Sequence, residues 1–404
     1  MRILFLLQDL PYPPSTGINS KAYNVIRYLA SKGWHCDILC FGSYDAASRI
    51  GEFETAVPGV KVLGVYSLPG RLKALVNKIR FFCLGLPPSF GEFRCERFIK
   101  ALRSISINAS YDVVHYDVIN MAQYLPDGPN VPSVLSSNDA ISLSYSRMVA
   151  QNRSLLRKIY LTIAAFLIKR FEKDTYPKFL AVHVVSAEDA SYLSGISPEM
   201  RVKTIPIAAD ESFIGFNPAG RGKNAPLRMV FSGNLNIPGI ANGLFEFLDK
   251  VYGQISTTSP FLEFYVLGPK ASPLDEERVS LHPRVKYFRW VEDYKNFIAA
   301  ADIVLILDKS GTGIKTRVLD AMALGRPVVG SKIALSGLDV ENARHCLIAN
   351  TPAEIVQAVT KLIESPDMRE QMGRDALALI RSKYSMAVIG PQWETLYLGL
   401  KGSR

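Results

Sequence analysis

The chain is poor in residues that staple or ligate. Of 404 residues five are cysteine, Cys36, Cys40, Cys83, Cys95 and Cys346. The number is odd, no Cys-x-x-Cys occurs and no histidine pair stands near. This speaks against a disulfide scaffold or a structural zinc and for the reduced thiols of a cytosolic protein. No uncharged apolar stretch reaches the ~18 residues that a membrane span needs. The run Ile3–Leu7 is too short for the apolar part of a secretory leader, gives way to Gln8-Asp9, and reads as a buried first strand. Asp-x-Asp is missing, as is any His/carboxylate cluster at ligand spacing, so no metal is expected. Acidic residues are in deficit, 37 against 47 Lys and Arg, for a net charge of +10. Such a balance suits anionic ligands, an anionic membrane surface or nucleic acid. With 48% hydrophobic and 21% charged residues, disorder and collagen are excluded too.

What is present is alternation. Strand signals fall at Ile3–Leu7, Cys36–Phe41, Val60–Val65, Asp112–His115, Ser133–Leu135, Leu180–Val185 and Val202–Ile205. A second set follows at Leu227–Phe231, Leu262–Leu267, Val285–Phe288, Ile303–Leu307, Pro327–Gly330 and Leu347–Ala349. Helical spacing recurs between them, as in Ala22, Val25, Ile26 and Leu29 before Gly33. Strands apolar on both faces and separated by helices mean parallel sheets covered on both sides. Pro and Gly crowd residues 206–226. The expected plan is two doubly wound α/β domains facing a cleft: residues 1–206, a linker 207–226, residues 227–382, and a C-terminal segment 383–404 returning to the first domain.

The sharpest signal lies after the strand Ile303–Leu307. There Asp308-Lys309-Ser310-Gly311-Thr312-Gly313-Ile314-Lys315-Thr316 leads into a helix that Gly325-Arg326-Pro327 ends. Glycines ahead of a helix let backbone amides approach an anion, and the helix dipole adds partial positive charge there. Lys315 in the first turn is unfavourable unless an anion answers it. Thr316 stands where a dinucleotide fingerprint needs its third glycine, and Gly313-Ile314-Lys315 breaks the P-loop pattern. A surface turn with a solvated lysine remains the rival reading. Asp320, further along the helix, is either a ligand for ribose hydroxyls or a solvated carboxylate.

The run Gly311-Thr-Gly-Ile-Lys-Thr-Arg-Val-Leu-Asp-Ala-Met-Ala-Leu-Gly-Arg-Pro-Val-Val329 resembles the donor-binding segment of GT-B glycosyltransferases, most closely the retaining family 4. Pro11-Tyr12-Pro13-Pro14-Ser15-Thr16-Gly17, Val185–Asp189, Ile205-Pro206 with Asp210, and Phe231-Ser232-Gly233-Asn234 are similar in order. The resemblance implies a cleft-facing first loop at Gly17 and a matching loop at Ser232, Gly233 and Asn234. It implies a diphosphate held by Lys315 and the amides of Gly313, Ile314 and Thr316, with ribose on Asp320 and the nucleobase by Trp290 and Val291. Departures are plain. Thr312 replaces the first carboxylate of the family's Glu-x7-Glu pair. The basic pair often found after the Ser232 loop is missing, with Asn236, Pro238 and Asn242 in that region. Asp117 stands where the family often has a histidine, and is either a catalytic group near the anomeric carbon or a capping residue.

Basic and apolar residues interleave at Arg71–Phe82, at Phe93–Arg103 and in Leu155–Lys173, readable as membrane-surface helices or as core helices with a solvated face. No nucleic-acid motif accompanies the charge. The expected activity is transfer of a sugar from a nucleotide-sugar to a glycan or lipid-linked acceptor in cell-surface polysaccharide or lipopolysaccharide synthesis, without a cofactor. The expected place is the cytoplasm, at an anionic membrane surface. A same-fold epimerase and a silent nucleotide-sugar-binding protein stay open.

Overall fold

The computed structural model describes residues 1–14, 17–42, 44–108, 110–152, 154–216 and 225–402. Ser15 and Thr16 of the expected first loop, residues 217–224 of the expected linker and residues 403–404 lie outside them. The chain divides into two compact units, Met1–Pro206 together with Met386–Arg404, and Ile207–Ser385.

The first unit is built on a seven-stranded sheet: β1 (Arg2–Leu7), β2 (His35–Phe41), β3 (Val60–Tyr66), β4 (Val113–Asp117), β5 (Ser133–Asn138), β6 (Ala181–Val184) and β7 (Val202–Thr204). Their order is β3-β2-β1-β4-β5-β6-β7, every pair parallel. Leu4, Leu6, Val113, Val114, Val134 and Leu135 are fully buried, because helices cover both faces. The helix Gly17–Ser31 buries Val25, Ile26 and Leu29, each worth about 2 kcal/mol of apolar transfer, and stops before Gly33 at φ +78°. The C-terminal helix Met386–Lys401 belongs here. It buries Trp393 and Tyr397, and the Tyr397 hydroxyl lies 2.7 Å from His115 Nδ1 on β4.

The second unit holds a six-stranded parallel sheet: β8 (Leu227–Ser232), β9 (Leu262–Leu267), β10 (Val285–Phe288), β11 (Ile303–Ile306), β12 (Val328–Gly330) and β13 (Leu347–Ile348), in the order β10-β9-β8-β11-β12-β13. In both sheets the chain winds outward one way and then returns to wind the other. The reversals fall between β1 and β4 and between β8 and β11. Ligands of such sheets sit beyond the strand carboxyl ends at these switch points.

The three basic stretches part company. The helix Glu96–Asn108 buries Phe98, Ile99 and Leu102, so its membrane reading is corrected: those side chains fill the core against Phe41 and Tyr124. The helix Arg71–Cys83 exposes Leu72, Leu75, Val76, Ile79 and Phe82. The helix Leu155–Thr175 buries Leu161, Leu167, Ile168 and Phe171 but exposes Leu155, Leu156, Ile159, Tyr160, Ile163 and Phe166. Among the described residues no helix is long and apolar enough to cross a membrane.

Candidate donor site in the second unit

Two loops flank the β8/β11 switch point, and they are the two that the sequence singles out. β8 ends at Ser232 and continues into Gly233-Asn234. Asn234 Oδ1 accepts from the Asn236 amide at 3.0 Å, a turn that leads into the helix Pro238–Phe247. β11 continues through Asp308 to Lys315, where the helix Thr316–Ala323 starts.

Arg317 ties the loops together, and sequence reasoning missed it. Its Nη1 donates to the Ser232 carbonyl at 2.5 Å, and its Nη2 to both oxygens of Asp308 at 3.0 and 2.8 Å. Asp308 is buried, so this is a charge-assisted pair out of water. A Cβ on Gly233 would lie 2.9 Å from Arg317 Nη1 and 2.5 Å from Ile240 Cγ2, so a glycine is needed there. Gly239 is a second close approach: a Cβ would fall 2.1 Å from Ser310 Oγ, and its carbonyl takes the Lys309 amide at 3.0 Å. An arginine in the first turn of the helix, with an aspartate just past the strand before it, was the available signal for this clamp.

Lys315 caps the helix Thr316–Ala323 in an extended conformation, and no acidic residue occupies the first turn. Its Nζ donates to the carbonyls of Thr312 at 2.6 Å and Gly313 at 3.0 Å. The ammonium therefore lies folded over its own loop, where Gly311 at φ +133° and Gly313 at φ +65° make the backbone bend. Thr312 and Ile314 are buried. The opening amides and the helix dipole favour an anion at this end of the helix, with Lys315 beside them, while the charge of Arg317 is answered by Asp308.

Asp320, one turn beyond Arg317, is not the solvated carboxylate of the rival reading. Burial and the nearby Asp210 carboxylate raise it from 3.8 to about 7, against the opposing pull of the Tyr294 hydroxyl and of Arg317. Tyr294 opens the helix Tyr294–Ala299, and its hydroxyl interacts with Ser232 as well as Asp320. Its ring lies 6.2 Å from that of Phe213, three residues beyond Asp210. Asp210 and Tyr294 were thus missed as neighbours of Asp320. Trp290, in the loop after β10, is 74% exposed, and Val291 beside it is half-buried.

In the first unit Gly17 starts its helix, with Ser15 and Thr16 outside the described residues. Asp117, the last residue of β4, is 1% exposed. Its Oδ1 accepts from Lys21 Nζ at 2.6 Å, and His115 Nε2 lies 3.6 Å away. Lys21 also donates to Ser136 Oγ at 2.6 Å and Asn138 Oδ1 at 2.5 Å. Burial pushes Asp117 up, but the Lys21 charge and His115 outweigh it and hold the carboxyl at about 2. A buried carboxylate so held is a poor proton acceptor, so the structure speaks against the catalytic reading of Asp117. It is the anionic half of an internal ion pair. Among the described residues no group of three His, Cys, Asp or Glu side chains could hold a metal ion.

Residues 226–365 match the family model described as Glycosyl transferases group 1. By that domain the chain is a glycosyltransferase. The matched span covers β8 to β13 and every second-unit residue discussed above except Asp210 and Phe213. Among solved structures, the sucrose-phosphate synthase (tll1590) of Thermosynechococcus elongatus is 15% identical, with a TM-score of 0.72 over 100% of both chains. Anabaena Alr3699/HepE in complex with UDP is 14% identical, with a TM-score of 0.67 over 99% of this chain and 100% of that one. A glycosyltransferase from Rickettsia africae ESF-5 is 12% identical, with a TM-score of 0.69 over 100% of this chain and 99% of that one. These likenesses bear on the fold, two parallel-sheet α/β domains of GT-B type. No curated protein matches the sequence.

Proposed function

We propose that the chain moves a sugar from a nucleoside diphosphate sugar to a glycan or lipid-linked acceptor, with retention at the anomeric carbon, in the synthesis of cell-surface polysaccharide or lipopolysaccharide. One observation carries the reading: two loops bound together by Arg317 at the β8/β11 switch point, with Lys315 and a helix N-terminus on one of them. Cleaving a sugar–diphosphate bond leaves negative charge on the departing phosphate, and fixed amides with an ammonium stabilise it without reorganising. Lys315 and the amides of Gly313 to Thr316 would take the diphosphate. Asp320, once ionised, would accept from ribose hydroxyls, and exposed Trp290 would face the base. The diphosphate charge is met in this reading by protein groups rather than a metal.

UDP is the first nucleotide to test, because HepE was solved with UDP and with UDP-glucose and another structural neighbour is a UDP-forming trehalose-phosphate synthase. We infer in addition that the first unit meets an anionic membrane on its cytoplasmic side, through the exposed apolar residues of the Arg71 and Leu155 helices and the lysines and arginines among them. Thermal shift against UDP, GDP, dTDP and ADP, then nucleotide release from the matching sugar donors, tests the transferase reading. Stabilisation by none of the four would overturn it. Binding without release in the presence of acceptors would select the silent binding protein, and a soluble sugar product without an acceptor would select the epimerase.

A further inference from the structure

A cavity of about 310 Å³ opens in the first unit between the Arg71 helix, the tight turns Ile119–Asp127 and the end of the Leu155 helix. That is the size of a small ligand site. Its walls are apolar at Phe81, Leu86, Leu125 and Phe171. Lys73, Arg80, Arg94 and Lys178 also line it, against Glu96 as its one carboxylate. Arg94 lies 3.7 Å from Asp127, whereas Lys73, Arg80 and Lys178 are exposed and enter no ion pair among the described residues. An oily hollow ringed by uncompensated cations is complementary to one kind of molecule, an anionic amphiphile.

Gln123, on the same wall, supplies a second observation. Its Nε2 donates to the carbonyls of Phe90 at 3.1 Å and Asn120 at 2.9 Å, which fixes the orientation of the amide. Its Oε1 is buried and has no donor among the described residues. A small turn of the side chain toward the cavity would bring this acceptor to a ligand hydroxyl. The position matters too. Lys178 stands just ahead of β6, at the amino-terminal edge of the sheet, opposite the edge that carries the β1/β4 switch point. Lys178 thus stands apart from the place where a doubly wound sheet holds a reacting ligand, whereas Gln123 donates to the carbonyl of Asn120, whose side chain donates to Gln8 just past the end of β1.

We infer that this cavity holds one molecule of a hydroxyl-bearing anionic phospholipid, of the phosphatidylglycerol kind. The phosphate lies among Lys73, Arg80 and Lys178, an acyl chain runs over Phe81, Leu125 and Phe171, and a glycerol hydroxyl donates to Gln123 Oε1. The inference deepens the membrane part of the proposed function and rests on it: the exposed apolar helices bring the cavity mouth to the bilayer, and the cavity selects the lipid.

Calorimetry on the full chain with dihexanoyl phosphatidylglycerol, below its micelle-forming concentration, tests the cavity alone. Saturable binding of this lipid is expected, with much weaker binding of dihexanoyl phosphatidylcholine and of inorganic phosphate. The variant Lys73→Gln/Arg80→Gln/Lys178→Gln, changed only at exposed positions, should bind roughly a hundredfold more weakly, about fivefold for each cation. Leu125→Trp, which fills the cavity, should abolish binding with the cations intact. Equal affinity for the choline lipid or for phosphate, or unchanged binding by either variant, overturns the inference. Flotation with phosphatidylglycerol vesicles separates the two readings. Flotation without binding of the short-chain lipid retires the cavity and keeps the surface; no flotation retires both.

Discussion

Replacing Asp320 by asparagine removes a proton that the folded second unit holds and the unfolded chain does not. The carboxyl sits at about 7 when folded, against an ordinary 3.8, because burial and Asp210 oppose its charge. Below pH ~4 both states are protonated and the residue contributes no pH dependence. Between pH ~4 and ~7 the unfolded state ionises first, so the wild type loses stability as pH rises, at about 1.4 kcal/mol per unit. Above ~7 the loss is complete. The asparagine variant carries no such proton. From pH 5 to pH 8 the wild type should therefore lose about 3 kcal/mol relative to Asp320→Asn. Urea unfolding of both proteins at several pH values, followed by circular dichroism, reads the difference directly. Parallel profiles would refute the reasoning. The functional side has the opposite sign. Ribose hydroxyls donate to a carboxylate, so nucleotide binding near pH 6.5 should release a proton, and calorimetry in buffers of different ionisation enthalpy should detect it. The variant should release none from this position and bind more weakly at pH 8.

Lys315→Ala should weaken UDP binding roughly 10- to 150-fold, the ~1.5–3 kcal/mol of a charge-assisted hydrogen bond, in a titration by calorimetry; unchanged affinity would remove the diphosphate assignment. Lys21→Met strands a buried carboxylate and should destabilise the first unit by about 3–5 kcal/mol, with Lys21→Met/Asp117→Leu recovering most of it. Because Asp117 lies at about 2 when folded, the wild-type contribution is present above pH ~4 and lost as pH falls towards 2, which acid unfolding of the wild type and the double variant can compare. Gly233→Ala should cost about 1–3 kcal/mol by crowding Ile240 and Arg317, and should weaken nucleotide binding by displacing the clamp, as thermal shift with and without UDP would show.

The sheets were legible because parallel strands buried on both faces are written as short unbroken apolar runs, and each expected run became a strand within three residues at either end. The glycine-rich loop leading into the helix Thr316–Ala323 was legible for a different reason: glycines, a lysine and a helix start are adjacent in sequence. What stayed hidden joins distant positions. Arg317 meets Ser232 across 85 residues, and Lys21 meets Asp117 across 96. Asp320 is raised by burial first and then by Asp210, which is not on its own helix, against the opposing hydroxyl of Tyr294. The Phe93–Arg103 stretch misled because alternating basic and apolar residues describe a core helix with a wet face as well as a membrane-lying one; only the positions of Phe41 and Tyr124 decide between them.

The two switch points share a topology, and their charges explain why only one suits a diphosphate. In the first unit Lys21 points to the end of β4, but Asp117 answers its charge at 2.6 Å and Ser136 and Asn138 take its other protons. That site is neutral and its cation is inaccessible, with Lys21 5% exposed. In the second unit Asp308 answers Arg317, whereas Lys315 is bound to the carbonyl dipoles of Thr312 and Gly313. A phosphate oxygen is a stronger acceptor for an ammonium than a carbonyl and carries the charge that the helix N-terminus favours. An arriving diphosphate would compete with those carbonyls for Lys315, but could take Lys21 only by leaving Asp117 buried and unpaired, a loss of several kcal/mol. In the proposed reading the donor would bind the second unit, and Lys21 holds the first unit's helix to its sheet.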